Sequence, residues 1–323
     1  KKYKLLIITS LDDLKDIFSR LKSDFIISYE KSITLQKINK IIHHYDAVFT
    51  NPNNSKIYFG KSLLKKAAKL KVICTASTGT THIDLLELKS KKIHLISLKN
   101  KRKAINQITS TSEHALALTL SSLRNLNESN QSVLKCQWNY ERFIGRQLNK
   151  LNFGVLGYGR LGKNYSRYIG AIGGKVHIYD PYKLNVNKNY TKHKSIKSFL
   201  KKIDVLSIHI HYSRETNMLI NKKLLSYMKK NILIVNTSRG EVVNEKDLLV
   251  FLRKNKEAKY STDVLTDEIN FKNNILYKYS IKNKNKIFIT PHIGGMTFDG
   301  RKIAYKKASD DLIKYFKTNY DKI

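Results

Sequence analysis

Three glycines constrain the fold most tightly. Gly157, Gly159 and Gly162 stand in VLGYGRLG, directly after the apolar run Phe153–Leu156 and ahead of a helix-like stretch, Leu161–Ile169. The next apolar run ends in Asp180, 18 residues past Gly162. In a strand–turn–helix unit each glycine has a separate task. Gly157 permits the tight turn, Gly159 lets the backbone approach a pyrophosphate, and Gly162 lets helix and strand pack closely. The helix N-terminus faces the negative charge. Asp180 is placed to accept hydrogen bonds from ribose hydroxyls and to repel a 2′-phosphate, which favours NAD over NADP. Lys183, three residues on, pulls the other way.

The rest of the chain repeats the same alternation. Apolar runs at Lys4–Ile8, Phe25–Tyr29, Ala47–Thr50, Val72–Ala76 and His94–Ser97 have the length of parallel strands buried on both faces. A second series runs through Phe153–Leu156, Lys175–Tyr179, Val205–Ile210, Ile232–Asn236, Tyr260–Asp263 and Ile287–Thr290. Helical spacing is expected over Tyr58–Leu70 and Phe298–Phe316. A long helix is expected from Ser110, with Ser110 and Glu113 as a capping box. The fold class is therefore α/β, two doubly wound parallel-sheet domains. No internal repeat or low-complexity linker interrupts the 323 residues.

Composition excludes several classes. No window nears the ~18 consecutive apolar residues of a membrane span, and the start KKYKLLIITS is too short in apolar residues for a signal peptide. Cys74 and Cys136 are isolated, which argues against a disulfide framework or a cysteine-ligated zinc and for a cytoplasmic setting. Lys and Arg total 61 against 25 Asp and Glu, a formal charge of +36. Only 11 of the 61 are Arg, and the lysines are spread along the chain. That pattern suits a solvated lysine surface better than specific readers of phosphate or bases, which lean on arginine. No nucleic-acid motif is present, and neither specific nucleic-acid binding nor membrane binding is expected.

Three further segments close predicted strands, where open α/β sheets place ligands. They are VNTSRGEVV with Arg239, STDVLTDE with Asp263 and Glu268, and TPHIGG with His292 and Gly295. Singly, each has a plain structural alternative: a loop-capping arginine, a solvated glutamate, a packed loop histidine.

Together they resemble the D-isomer-specific 2-hydroxyacid dehydrogenases, in the branch that includes D-3-phosphoglycerate dehydrogenase. The resemblance also takes in STGTTHIDL (Ser77–Leu85), SEHALAL (Ser112–Leu118) and SIHI (Ser207–Ile210). It implies a Rossmann NAD-binding domain inserted into a flavodoxin-like substrate domain, the former at 102–293 and the latter at 1–101 with 294–323. The cleft between such domains is expected to close around ligand. The resemblance implies roles at matched positions. Arg239 binds the substrate carboxylate, His292 is the acid–base residue and Glu268 is its partner. Ser77, Thr78 and Gly79 hold the carboxylate through backbone N–H groups. His209, Thr237, Asp263 and Gly295 join Gly157, Gly159, Arg160, Leu161, Gly162 and Asp180 as cofactor contacts. The implied reaction is NAD-dependent interconversion of a 2-oxo acid and its D-2-hydroxy acid, with an NAD-sensing corepressor-like protein as the alternative. A homodimer through the Gln137–Leu148 arm is also implied.

There are departures. The usual proline after the SxHx segment is His211, the glycine before the fingerprint strand is Asn149, and the Asp of the GxDxID segment is Thr81. His209 and His211 share a strand face but lack a third ligand, so no metal is expected. Phosphoglycerate-specific members carry arginines where this chain reads FTNPNN (Phe49–Asn54) and CTAS (Cys74–Ser77), leaving Lys56 or Lys61 as substitutes for a phosphate contact. The given sequence ends soon after the expected last helix, and the C-terminal extension of some members is not expected.

Overall fold

The computed structural model describes residues 2–52 and 57–320. Lys56, named above as a phosphate contact, lies outside the described residues, as do Asn53 and Asn54. The chain forms two compact units, Lys1–Ile108 with Met296–Ile323, and Thr109–Gly295. The first cut falls seven residues later than expected. The short helix Arg102–Ile105 packs on the C-terminal helix Phe298–Asn319 and so stays with the first unit.

The first unit carries five parallel strands: β1 (Tyr3–Ile7), β2 (Phe25–Tyr29), β3 (Ala47–Thr50), β4 (Val72–Thr75) and β5 (His94–Ile96). Their order, β2-β1-β3-β4-β5, is the flavodoxin-like one. Side chains alternate between faces with a period of two. Leu5 and Ile7 join Ala304, Ala308, Leu312 and Phe316 of the C-terminal helix, while Leu6 and Ile8 join Ile38, Phe59, Leu63 and Leu88 on the other face.

The expected helix over Tyr58–Leu70 is not formed. Only Lys61–Leu64 is α-helical, and the chain then tightens into turns with Lys66 N–H on Leu63 C=O and Ala67 N–H on Leu64 C=O. Leu63, Leu64, Ala67 and Leu70 are nonetheless all buried. Burial of the apolar stripe was legible; its continuity as a helix was not.

The second unit carries seven parallel strands: β6 (Asn152–Leu156), β7 (Lys175–Tyr179), β8 (Thr191–Lys192), β9 (Val205–Ile208), β10 (Leu233–Asn236), β11 (Lys259–Thr262) and β12 (Ile287–Ile289). Their order is β12-β11-β10-β9-β6-β7-β8. Numbered within the unit this is 3-2-1-4-5-6 with a seventh strand added, the doubly wound order whose switch point lies between β6 and β9. Phe153, Val155, Val205 and Val235 face Ala115, Leu118, Tyr165 and Ile169. Leu206, Ile208 and Ile234 face Leu248 and Leu252. The two-residue edge strand β8 carried no sequence signal.

The long helix is Ser110–Leu123, but its capping box does not form. Thr109 occupies the N-cap with helical backbone angles and no side-chain cap, and the Ser110 hydroxyl is buried inside the first turn. No helix of the described residues is long and apolar enough to cross a membrane. Cys74 is buried, Cys136 is exposed, and both are free.

Candidate active site

The glycine turn closes β6. Gly157 has φ +93°, a left-handed conformation that L side chains rarely adopt, and its N–H donates to Tyr179 C=O at 2.9 Å. A Cβ on Gly162 would lie 2.0 Å from the Gly157 carbonyl oxygen, whereas one on Gly159 would meet nothing within 4 Å. So packing requires Gly162, while the space beside Gly159 is open. The helix Arg160–Ala171 follows with no side-chain cap on its N-terminus, leaving its first N–H groups for an anion.

Asp180, just past β7, accepts Tyr158 N–H at 2.8 Å on Oδ2 and Tyr182 N–H at 2.9 Å on Oδ1. Each carboxylate oxygen keeps a second lone pair for a hydroxyl donor. His209, just past β9, has Nε2 2.8 Å from Ser207 Oγ, and burial pushes its ring down to about 3, so it is a neutral imidazole. His209 Nδ1 and Thr237 Oγ1 are buried without a hydrogen-bond partner among the described residues. Orphaned polar atoms at adjacent strand ends, beside an open glycine turn, fit a polar ligand that would satisfy them.

Arg239 stands on a turn built by the fully buried Asn236. Asn236 Oδ1 accepts the Ser238 N–H at 3.0 Å and hydroxyl at 2.9 Å, while Nδ2 donates to Arg239 C=O at 3.0 Å and Tyr260 Oη at 3.2 Å. Arg239 Nη1 donates to Ser238 C=O, and the guanidinium forms no salt bridge among the described residues. Gly240 is needed by close approach: a Cβ there would lie 2.2 Å from Leu265 C and 2.3 Å from Thr266 N.

His292 Nδ1 lies 2.7 Å from Glu268 Oε2. Both side chains reach solvent, at 26% and 40% exposure, so the pair is accessible. His292 itself has φ +55°, an uncommon backbone conformation for a residue other than glycine. Asp263 holds that loop. Its Oδ1 accepts Thr290 Oγ1–H at 2.6 Å and Ile293 N–H at 2.8 Å, and its Oδ2 accepts Gly294 N–H at 2.7 Å. His114 Nε2 lies 2.9 Å from Thr290 Oγ1 and 3.3 Å from Asp263 Oδ1. The threonine proton is committed to Asp263, so His114 must be the donor and carries its proton on Nε2. Burial alone would push the Asp263 carboxyl up; the donors from His114, Thr290, Gly294 and Ile293 outweigh it and hold it below the usual range. A Cβ on Gly295 would meet nothing within 4 Å.

The sequence reading missed His114, Thr290, Asn236 and Gly240 as parts of this arrangement. All four stood inside quoted motifs, VNTSRGEVV, SEHALAL and TPHIGG, without a role. The Ser77–Gly79 turn belongs to the first unit, where Ser77 Oγ–H donates to Gly79 C=O at 2.6 Å and Thr75 Oγ1 lies 3.1 Å from Ser77 Oγ. His211 is exposed, and no group of three or more His, Cys, Asp or Glu among the described residues could hold a metal.

A Gly-rich turn at a doubly wound switch point, with a carboxylate–imidazole pair at neighbouring strand ends, defines a dinucleotide-dependent class of site. Residues 116–294 match the NAD binding domain of the D-isomer specific 2-hydroxyacid dehydrogenases, and the chain belongs to that family. It is 25% identical over 304 residues to D-3-phosphoglycerate dehydrogenase of Bacillus subtilis, covering 92% of this chain and 54% of that protein. It is 27% identical over 319 residues to hydroxypyruvate reductase of Blautia hydrogenotrophica, covering 96% of this chain and 87% of that protein. The chain spans about half the length of the D-3-phosphoglycerate dehydrogenases it matches. Among solved structures, D-lactate dehydrogenase from Aquifex aeolicus, complexed with NAD and lactic acid, superposes with a TM-score of 0.83 at 24% identity, covering 99% of this chain and 97% of that one.

Proposed function

We propose that the protein is an NAD-dependent oxidoreductase that interconverts a 2-oxo acid and its D-2-hydroxy acid. The observation that carries this reading is the 2.7 Å contact between His292 and Glu268, at the strand ends of an NAD-binding domain of the family. Bound NAD(H) supplies or accepts the hydride. Gly157, Gly159, Arg160, Leu161 and Gly162 would hold its pyrophosphate, and Asp180 would hold the adenosine ribose. The buried Nδ1 of His209 and Oγ1 of Thr237 would find hydrogen-bond partners on the cofactor.

Arg239 binds the substrate carboxylate with its guanidinium fork, a planar donor set matched to two carboxylate oxygens. Glu268 keeps the Nδ1 proton on the His292 ring, so that Nε2 exchanges a proton with the substrate oxygen. During reduction Nε2–H protonates the carbonyl oxygen; during oxidation Nε2 takes the hydroxyl proton back. Asp263 keeps the His292 loop in place through two backbone N–H groups. The absence of arginine in Phe49–Asn54 and Cys74–Ser77 favours a substrate without phosphate.

The test is loss of NADH absorbance over a panel of 2-oxo acids: glyoxylate, pyruvate, hydroxypyruvate, 2-oxoglutarate, branched oxo acids and phosphohydroxypyruvate, with NADPH in parallel. Turnover of one member with NADH supports the reading. Tight NADH binding without turnover of any would replace it by a sensor.

A homodimer is also inferred. Leu134, Trp138, Tyr140 and Ile144 are 69–88% exposed within one segment of the second unit, and exposed apolar side chains that gather into a patch mark interaction sites. Trp138→Ser is expected to shift the protein toward monomer in sedimentation equilibrium; an unchanged mass would remove this segment as the interface.

A further inference from the structure

Glu245 opens the helix Glu245–Lys254, beyond the Arg239 turn. Its two oxygens grip the loop that carries Glu268. Oε1 accepts Thr266 N–H at 2.9 Å, and Oε2 accepts Asn274 Nδ2 at 2.6 Å. Asn274 Nδ2 also donates to Thr266 C=O at 3.2 Å. The Thr266 residue is thus held at both its N–H and its C=O by two side chains that are bonded to each other. The ring closes two residues before Glu268.

The asparagine has no freedom to turn its amide over. Its Oδ1 accepts Leu276 N–H at 2.8 Å and Tyr277 N–H at 3.2 Å, capping the helix Ile275–Lys282. The same stretch of chain, Leu265–Thr266, is the one against which Gly240 packs without room for a Cβ. Here the turn carrying Arg239 meets the loop carrying Glu268. Asp267, between Thr266 and Glu268, has φ +54°, so the loop bends sharply at the point the bracket secures. Burial pushes the Glu245 carboxyl up, and the hydrogen bonds from Thr266 and Asn274 only partly offset that. An acid half-buried at this cost is accounted for by the two donors it satisfies.

We propose that Glu245 is a positioning residue for the acid–base pair: with Asn274 it clamps Thr266, and so sets Glu268 against His292 in register with the Arg239 turn. The inference rests on the dehydrogenase reading for its kinetic consequence but not for its geometry.

Glu245→Ala removes both contacts. A displacement of the order of 1 Å at a reacting group costs roughly 10²-fold in rate, and kcat for the 2-oxo acid is expected to fall by about that factor while the Kd for NADH is unchanged. Glu245→Gln keeps an acceptor for Thr266 N–H but sets an amide NH₂ against Asn274 Nδ2, donor against donor. Its kcat should lie between wild type and Glu245→Ala. The ring ¹⁵N shifts of His292 provide a readout independent of turnover: they report an Nδ1-protonated ring in the wild type and should move toward a mixture of tautomers in Glu245→Ala. Unchanged kcat together with unchanged ring shifts overturns the proposal, as does a parallel loss of NADH affinity, which indicates general loss of structure. If the wild type reduces no oxo acid, the dehydrogenase reading fails and the ring shifts alone judge the clamp. Where Glu245→Ala does not fold, Glu245→Gln decides by the same two measurements.

Discussion

Two buried aspartates sit at opposite ends of the second unit's sheet and do different work. Asp204 precedes β9, at the N-terminal edge. It accepts Asn152 N–H at 2.9 Å and Asn152 Nδ2 at 3.1 Å, and pairs with Lys229 Nζ at 2.8 Å. Asp263 follows β11, at the C-terminal edge, and pairs with His114, Thr290 and two backbone N–H groups of the His292 loop. Both carboxyls are held low: burial acts upward on each, and donors outweigh it, led by Lys229 for Asp204 and His114 for Asp263. Asp204 is answered by a cation and ties strand to strand. Asp263 is answered by a loop, and fixes a histidine in an uncommon backbone conformation. Burial and a lowered carboxyl thus identify a well-satisfied carboxylate in both cases, and its partners separate a brace between strands from a brace on a loop.

The comparison can be broken in order of expected effect. His292→Ala should lower kcat by about 10²–10⁴-fold, the range for loss of a general acid–base, with NADH affinity retained in fluorescence titration. Near-normal turnover would remove His292 from the chemistry. Asp263→Ala releases the loop without touching the imidazole, and a shift of about 1 Å predicts roughly 10²-fold in kcat. Stopped-flow single turnovers check whether the chemical step is the one slowed. Asp204→Ala should do the reverse. Lys229 is about a third exposed and can rehydrate, so the loss is about 1–3 kcal/mol of stability, chiefly from unpaired Asn152 donors. Urea unfolding measures it, and kcat per folded molecule should not change. If the two variants behaved alike, the distinction between the two ends of the sheet would be lost.

A further effect concerns pH. His177 lies beside the Asp204 cluster, with Nε2 3.0 Å from Asn152 Oδ1 and Nδ1 3.0 Å from His193 Nε2. Asn152 Nδ2 already donates to Asp204, so Oδ1 must accept from His177 Nε2–H, and His177 Nδ1 must accept from His193. A proton on His177 Nδ1 would set two donors face to face. Burial, then the neighbouring His193, push the ring from its ordinary 6.5 to about 4. Because the folded value is lowered, the unfolded chain binds the proton first. This stabilisation is complete above about pH 6.5, declines as pH falls from there to about 4, and is absent below. His177→Gln should flatten that part of the stability curve measured by thermal unfolding; an unchanged slope would assign the acid sensitivity elsewhere.

Most of the sheet was legible because parallel strands buried on both faces need continuous apolar runs, and Ala47–Thr50, Val205–Ile208 and Leu233–Asn236 are such runs. The glycine turn was legible because Gly157 and Gly162 answer local requirements of dihedral and contact. The Tyr58–Leu70 helix and the Ser110 capping box were misread because a buried stripe and a Ser-x-x-Glu spacing do not specify which backbone bonds close. The bracket on Thr266 joins residues 245, 266 and 274, and the Asp263 cluster joins 114, 263 and 290–294. No sequence period connects such positions.

By itself, then, the sequence determined the layered α/β architecture and the dinucleotide turn, since each depends on residues close together in the chain; Arg239, Glu268 and His292 were singled out through the family resemblance. Tertiary structure alone decided which donors meet which carboxylates. Those partners come from different strand ends, and a hydrogen bond exists only once packing has brought its two atoms within about 3 Å.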